Sequence, residues 1–250
     1  MRALITGASS GIGRDMARYL AQKGYDLVVV ARRADRLQEL KEELSGVDVK
    51  CITADLSKTD ECKRVYEETK GVEIDMLINN AGFGLAGDFV DTDLDTELMM
   101  VDTNVKALHV LTKLYLKDFV KRDSGTILNV ASIAGFMPGP LLATYYATKN
   151  YVLRLTQAIY KELKKKGSKV KVSALCPGPI NTEFFDVANV KFLISGVSSP
   201  FVAKLAVDKA LKGKLIILPG IVKFVPFLLR LVPQKLVMSV LYKFQSLRRE

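Results

Sequence analysis

Histidine, cysteine and, near its end, acid are what this sequence is short of. One histidine in 250 residues, His109, gives no imidazole cluster to hold a metal, so a structural role is the simplest reading. Three cysteines (Cys51, Cys62, Cys176) are too few and too scattered for a disulfide framework or a thiolate metal site, and they suit a reduced, cytoplasmic setting. No uncharged run reaches the roughly 20 residues that span a bilayer. The opening MRALITGASSGIG passes from a short apolar run straight into glycines, without the hydrophobic region and cleavage site of a signal peptide. Seventeen glycines and eight prolines are ordinary usage and exclude a fibrous or disordered class. Repeats, low-complexity tracts and Pro/Gly/Ser linkers are absent. So are the helix-turn-helix, zinc-finger and aromatic RNA-binding signatures that would turn the net charge of +10 into a case for nucleic acid.

That charge is uneven. From Ile221 onward six basic residues face one acid, Glu250, so half of the excess lies in the last thirty residues. The stretch LPGIVKFVPFLLRLVPQKLVMSVLYKFQ is also strongly apolar, and Pro219, Pro226 and Pro233 should break it into short helices. Two readings stay open for it. It packs on the domain or across a dimer, or it forms a lipid-facing lid in peripheral contact with a membrane.

Hydrophobic residues make up 49% of the chain, enough for a substantial core. Seven short runs rich in Val, Ile and Leu read as buried strands: 1–6, 25–31, 47–54, 74–79, 125–131, 169–175 and 214–218. Helical patterns at 12–23, 34–44, 58–69, 95–121 and 141–165 lie between them. Strand–helix alternation predicts an α/β fold, Rossmann-like and doubly wound: a mostly parallel seven-stranded sheet with helices on both faces, plus a C-terminal helical extension. We divide the chain into one Rossmann-like domain, 1–220, and the extension, 221–250.

The first strand runs into TGASSGIG, with Gly7, Ser9, Ser10, Gly11, Ile12 and Gly13 at the turn and the start of a helix. Glycine lets backbone approach a ligand closely. A helix N-terminus offers free N–H groups and a positive dipole to a pyrophosphate. The spacing is G-x-x-x-G-x-G rather than G-x-G-x-x-G, so its position between strand and helix carries the inference. The second strand ends in Ala31, Arg32 and Arg33, with no acid. An acid there would bind the ribose hydroxyl of NAD, whereas arginine suits the 2′-phosphate of NADP. NADP(H) is therefore expected over NAD(H).

Tyrosine followed four residues on by lysine occurs at Tyr145/Lys149, and also at Tyr19/Lys23, Tyr66/Lys70 and Tyr160/Lys164. Residues at i and i+4 share a helix face, so spacing does not choose among the four.

On TGASSGIG (6–13), Asp55 in ADL, NNAG (79–82), Asn104, Ser132, Tyr145 with Lys149, and PGPINT (177–182), the chain resembles the short-chain dehydrogenases/reductases over roughly residues 1–220. The resemblance carries a serine, tyrosine and lysine set. Ser132 directly follows the fifth strand and precedes Tyr145 by thirteen residues. Tyr160 has only Ala147 at that distance, Tyr66 is flanked by Glu67 and Glu68, and Tyr146 has Asn150 where a lysine would stand. The resemblance implies Tyr145 as general acid/base and Lys149 as its activator and ribose contact. It implies Ser132 as donor to the substrate oxygen and Asn104 as holder of a relay water, although the sequence alone equally allows Asn104 to be a helix-interior residue with a structural hydrogen bond. A tyrosine with its ordinary pKa of about 10 is a poor base at neutral pH, and a lysine one turn away, together with the positive charge of the oxidised nicotinamide, is expected to lower it. The implied cofactor contacts are Asp55 and Leu56 at the adenine, Asn80, Ala81 and Gly82 after strand four, and Pro177, Gly178, Ile180 and Thr182 near the nicotinamide.

Phe136, Met137, Leu141 and Leu142, with Phe184 and Phe185 after Thr182, suggest an apolar substrate wall. A hydrophobic ketone, aldehyde or secondary alcohol (lipid-, acyl- or steroid-like) is the expected substrate. A homodimer or homotetramer is expected, cytoplasmic or membrane-associated. The alternative is a non-enzymatic NADP-binding sensor or scaffold, which would have no need of Ser132, Tyr145, Lys149 and Asn104 together.

Overall fold

A computed structural model describes residues 1–180 and 197–246. Strands β1 (Arg2–Thr6), β2 (Asp26–Ala31), β3 (Val49–Thr53), β4 (Met76–Asn79), β5 (Thr126–Val130), β6 (Lys171–Leu175) and β7 (Ile216–Ile217) form one sheet among these residues. Its order is β3-β2-β1-β4-β5-β6-β7 and every neighbouring pair is parallel. All seven expected strands are present. The order turns back on itself between β1 and β4, and the crevice at the carboxyl ends of these strands is where a doubly wound sheet takes its ligand.

Burial on both sides explains why the strands carry little polar alternation. In β1, Ala3 and Ile5 enter one core and Leu4 the other, and in β2 Leu27 and Val29 oppose Val28 and Val30. The first core is covered by α1 (Gly11–Gln22), α2 (Ala34–Glu43) and α7 (Ser199–Leu211). The second is covered by α3 (Thr59–Glu67), α5 (Leu108–Lys121) and α6 (Ala143–Lys165). Leu4 has no exposed surface, so Leu4→Ala should cost about 2–5 kcal/mol.

Two elements differ from the expected pattern. The single helix expected over 95–121 is α4 (Leu94–Val101), a π-helical turn (Asp102–Ala107) and α5. The π turn carries Asn104, which bonds the loop at Phe83. Helix α7 has no counterpart among the expected helices. Its apolar residues lie all round it, as suits burial against α1, so no clean one-sided period announces it. The C-terminal segment breaks as its prolines require, into a 3-10 turn (Gly220–Phe224), α8 (Val225–Leu231) and α9 (Gln234–Ser246).

Candidate active site at the carboxyl edge of the sheet

The turn after β1 depends on its glycines. Gly7 and Gly11 have positive φ, 66° and 53°. A Cβ on Gly7 would lie 2.8 Å from the Cα of Ala81, and one on Gly13 would strike the Gly7 carbonyl and the Asn80 amide. Asn80 braces this contact. Its Nδ2 donates to the carbonyls of Thr6 (3.0 Å) and Gly7 (3.1 Å), while its backbone N–H and that of Ala81 donate to Thr6 Oγ1. Helix α1 starts here with no side chain capping its first turn and no acid in it, which leaves its N–H groups for an anion. Ser10, the residue in capping position, is instead bonded by Arg33, whose Nη2 donates to Ser10 Oγ (2.8 Å) and Ser9 Oγ (3.1 Å). A guanidinium thus sits over the glycine turn at the end of β2. Arg32 beside it is exposed. A dinucleotide carrying an extra phosphate on its adenosine ribose fits this donor set.

Across the cleft, Ser132 follows β5 and opens a 3-10 turn (Ile133–Phe136), with its Oγ accepting from Ala134 N–H at 3.1 Å. That turn lies on α6 because Gly135 has no side chain: a Cβ there would be 2.7 Å from the Lys149 carbonyl. Ser132 hydrogen-bonds the Tyr145 side chain. Lys149 is buried, donates from Nζ to the Val130 carbonyl at 2.9 Å, and stands 5.9 Å from the centre of the Tyr145 ring. Asn104 is buried behind Gly82. Its Nδ2 donates to Phe83 O (2.8 Å) and Thr148 Oγ1 (3.1 Å), its Oδ1 accepts from Phe83 N–H (3.0 Å), and Thr148 in turn donates to the Tyr145 carbonyl (2.7 Å). A Cβ on Gly82 would lie 2.8 Å from Asn104 Oδ1 and 3.4 Å from Lys149 Nζ, so only glycine lets these two approach the same point.

Burial dominates the electrostatics of the pair. Burial pushes the Tyr145 hydroxyl well above its ordinary value; the Ser132 hydrogen bond opposes the rise and Tyr146 adds to it. Burial also brings Lys149 down to about 8, against the pull of the Cys176 thiol. Desolvation is the largest influence on both groups, and Lys149 Nζ is engaged by the Val130 carbonyl.

One cavity of about 1020 Å³ joins the two sides. It is lined by Gly7, Ser9, Ser10, Gly11, Ile12, Arg32, Arg33, Asp55, Leu56, Asn80, Ala81 and Gly82 on one side. On the other it meets Ser132, Met137, Leu142, Tyr145, Lys149, Pro177, Gly178 and Ile180. Gly13 and Asn104 lie behind that lining. Phe136, expected in the substrate wall, is a correction: its 3-10 turn carries it into a small core with Leu108, Ala131 and Val152. Leu141 is likewise buried outside the lining. Thr182, Phe184 and Phe185 lie outside the described residues.

The wall that sequence reasoning missed comes from the tail. Val222, Val225, Leu229, Val237, Leu241 and Phe244 all face the cavity. A Cβ on Gly178 would sit 2.7 Å from Val222 Cγ1, so the tail closes directly on the loop after β6. The signal was available, since 237, 241 and 244 recur at helical spacing. Tyr146, left unassigned on sequence, also lines the cavity; its ring lies on Gly139 and its hydroxyl bonds Gln245 of α9.

The other tyrosine–lysine pairs have the same local geometry, with ammonium-to-ring distances of 5.2, 5.3 and 5.8 Å. None lines the cavity. Tyr19 bonds Asp208, and Tyr66 bonds Asp118 and is pushed up to about 12, chiefly by burial. His109 pairs with Tyr151, Nδ1 to hydroxyl at 2.7 Å, on the surface, and no metal-binding cluster occurs among the described residues.

Known proteins match this arrangement. The model of the short chain dehydrogenase family covers residues 1–191. An uncharacterized oxidoreductase of Staphylococcus epidermidis is 38% identical over 184 residues, 72% of this chain and 78% of that protein. A short-chain dehydrogenase from Sphingobium yanoikuyae, solved in complex with NADPH, superposes with a TM-score of 0.82 at 33% identity, over 88% of each chain. The bulky-bulky ketone specific alcohol dehydrogenase from Comamonas testosteroni gives 0.79 at 31% identity, over 88% of this chain and 86% of its own. With the family model matching residues 1–191 and a relative 38% identical over 72% of its length, this chain belongs to the short-chain dehydrogenases.

Proposed function

We propose that the protein is an NADP(H)-dependent oxidoreductase acting on the carbonyl or secondary alcohol of a hydrophobic substrate. The observation that carries this reading is the convergence of Ser132, Tyr145 and Lys149 on one wall of a cavity whose opposite wall is the glycine turn and Arg33. Arg33 supports NADP(H), and a relative of this fold was solved with NADPH. The apolar tail wall supports a bulky substrate, as does a relative specific for bulky-bulky ketones.

Bound NADPH would supply the hydride. Tyr145, held protonated by burial, donates its proton to the carbonyl oxygen as negative charge develops there. Ser132 hydrogen-bonds the same oxygen and, once Tyr145 has given up its proton, stabilises the phenolate. Lys149, charged below pH about 8, orients the nicotinamide ribose and offsets the phenolate charge. Asn104 fixes the loop at Phe83 and the register of α6 through Thr148, and a relay water held beside it would refill the proton through Lys149. Residues 1–220 form the catalytic domain, and tail residues between Val222 and Phe244, among them Val225, Leu229, Val237 and Leu241, supply its substrate wall. The active form is a cytoplasmic homodimer or homotetramer.

The test is a steady-state assay with NADPH and NADH over a panel of apolar ketones and aldehydes. Preference for NADPH and loss of turnover in Tyr145→Phe are expected. A wild-type preference for NADH, or full activity in the variant, would refute the reading.

A further inference from the structure

The C-terminal segment has two apolar faces. One closes the cavity through Val225, Leu229, Val237 and Leu241. The other faces solvent, with Phe227 64% and Leu231 68% exposed and Phe224 and Leu228 beside them. Eight of the eighteen large apolar side chains exposed among the described residues fall between Phe224 and Tyr242, so the apolar surface is concentrated here rather than scattered. The two faces meet at the cavity's edge. Val232, Leu236 and Val240 line the cavity and still are 37%, 55% and 59% exposed. The cavity therefore opens onto the apolar outer face.

The charge along that segment has one sign. Lys223, Lys235 and Lys243 are exposed, and the sequence has no acid between Asp208 and Glu250. Apolar side chains interspersed along the segment only with cations complement an anionic lipid surface, which takes rings and leucines below the headgroups while the ammonium groups stay among them. A second copy of the chain is a poorer occupant, since pairing two such faces would set lysines against lysines. No helix among the described residues is long and apolar enough to cross a membrane, so contact would be in the plane of the surface. The face is also fixed relative to the chemistry: Gln245 Nε2 of α9 donates to Tyr146 Oη at 2.8 Å, one residue from Tyr145.

We infer that this face lies on an anionic membrane surface and that the cavity takes its apolar carbonyl substrate directly from the lipid. The substrate half rests on the function proposed above; the docking half does not. Full-length protein with NADPH would be sedimented with vesicles of phosphatidylcholine alone and with phosphatidylserine added. Three lysines near such a surface favour binding to the anionic vesicles by on the order of a hundredfold. Phe227→Glu/Leu231→Glu, exposed and outside the cavity, should lose that binding and lose turnover of a ketone carried in the vesicles, while reducing a small dissolved ketone at the wild-type rate. Wild-type protein that stays in the supernatant with both vesicles overturns the docking. So does a mass that halves in the variant by light scattering, which would assign the face to a second copy. Equal turnover of the vesicle-borne ketone by variant and wild type overturns entry from the lipid. Failure of wild type to reduce the dissolved ketone marks instead a failure of the proposed activity, and with it the substrate half.

Discussion

Gln245 and Tyr146 are joined by a single hydrogen bond, 2.8 Å from amide nitrogen to phenol oxygen, that ties the last helix to the helix bearing Tyr145. The Gln245 side chain is buried and its Oε1 finds no partner among the described residues. Removing the whole amide should therefore be cheap, and removing its partner should not. Gln245→Leu is expected to change the unfolding free energy by less than about 1 kcal/mol, and Tyr146→Phe to lower it by about 1–3 kcal/mol. Urea titration of both variants checks this; equal losses would show that the bond is not what holds α9 in place.

Arg33 bridges both serines of the glycine turn, so it either reads the cofactor's extra phosphate or merely stiffens the turn. Arg33→Ala separates the two. We expect KM for NADPH to rise by about 10–100-fold while KM for NADH moves by less than about twofold, the difference being a lost charge-assisted contact. Equal damage with both cofactors would leave Arg33 a structural brace.

Lys149 carries a stability signature of known sign. Its folded pKa, about 8, is depressed from an ordinary 10.5, so burying the charge costs stability in full below pH 8. The cost disappears as pH rises from about 8 to 10.5, where both folded and unfolded lysine become neutral. Wild type should gain about 3 kcal/mol across that window relative to Lys149→Met. Urea unfolding of the two proteins at pH 7.5 and pH 10 gives the comparison, and parallel pH profiles would disprove the depressed value. The variant should also lose turnover, showing that stability has been given up for function at this position.

Gly82 is the point where Asn104 and Lys149 converge. Gly82→Ala would put a methyl 2.8 Å from Asn104 Oδ1. Turnover should fall by about tenfold or more, with Asn104 or Lys149 displaced. Unchanged kcat and unchanged NADPH affinity would mean that the loop yields instead.

The sheet was legible because both its faces are buried: short, unbroken Val/Ile/Leu runs at the right spacing leave few alternatives, and all seven strands fall where those runs lie. The cluster at Ser132, Tyr145 and Lys149 was legible through its place after β5, since the tyrosine–lysine spacing has three equivalents elsewhere with the same local geometry. Phe136 was misplaced because a four-residue 3-10 turn rotates it away from Met137, and turns of that length leave no periodicity to follow. The lowered lysine and raised tyrosine were hidden for another reason. Sequence shows that they are neighbours, whereas desolvation is a property of everything packed around them.

The cavity is built from opposite ends of the chain. Its glycine turn and Arg33 directly follow the first two strands, and its outer wall comes from Val222 onward. During synthesis the nucleotide half is therefore complete while the substrate half is still being translated. A nascent chain could hold its cofactor before it can accept a substrate, and a chain cut short near Pro219 would keep the first ability and lack the second.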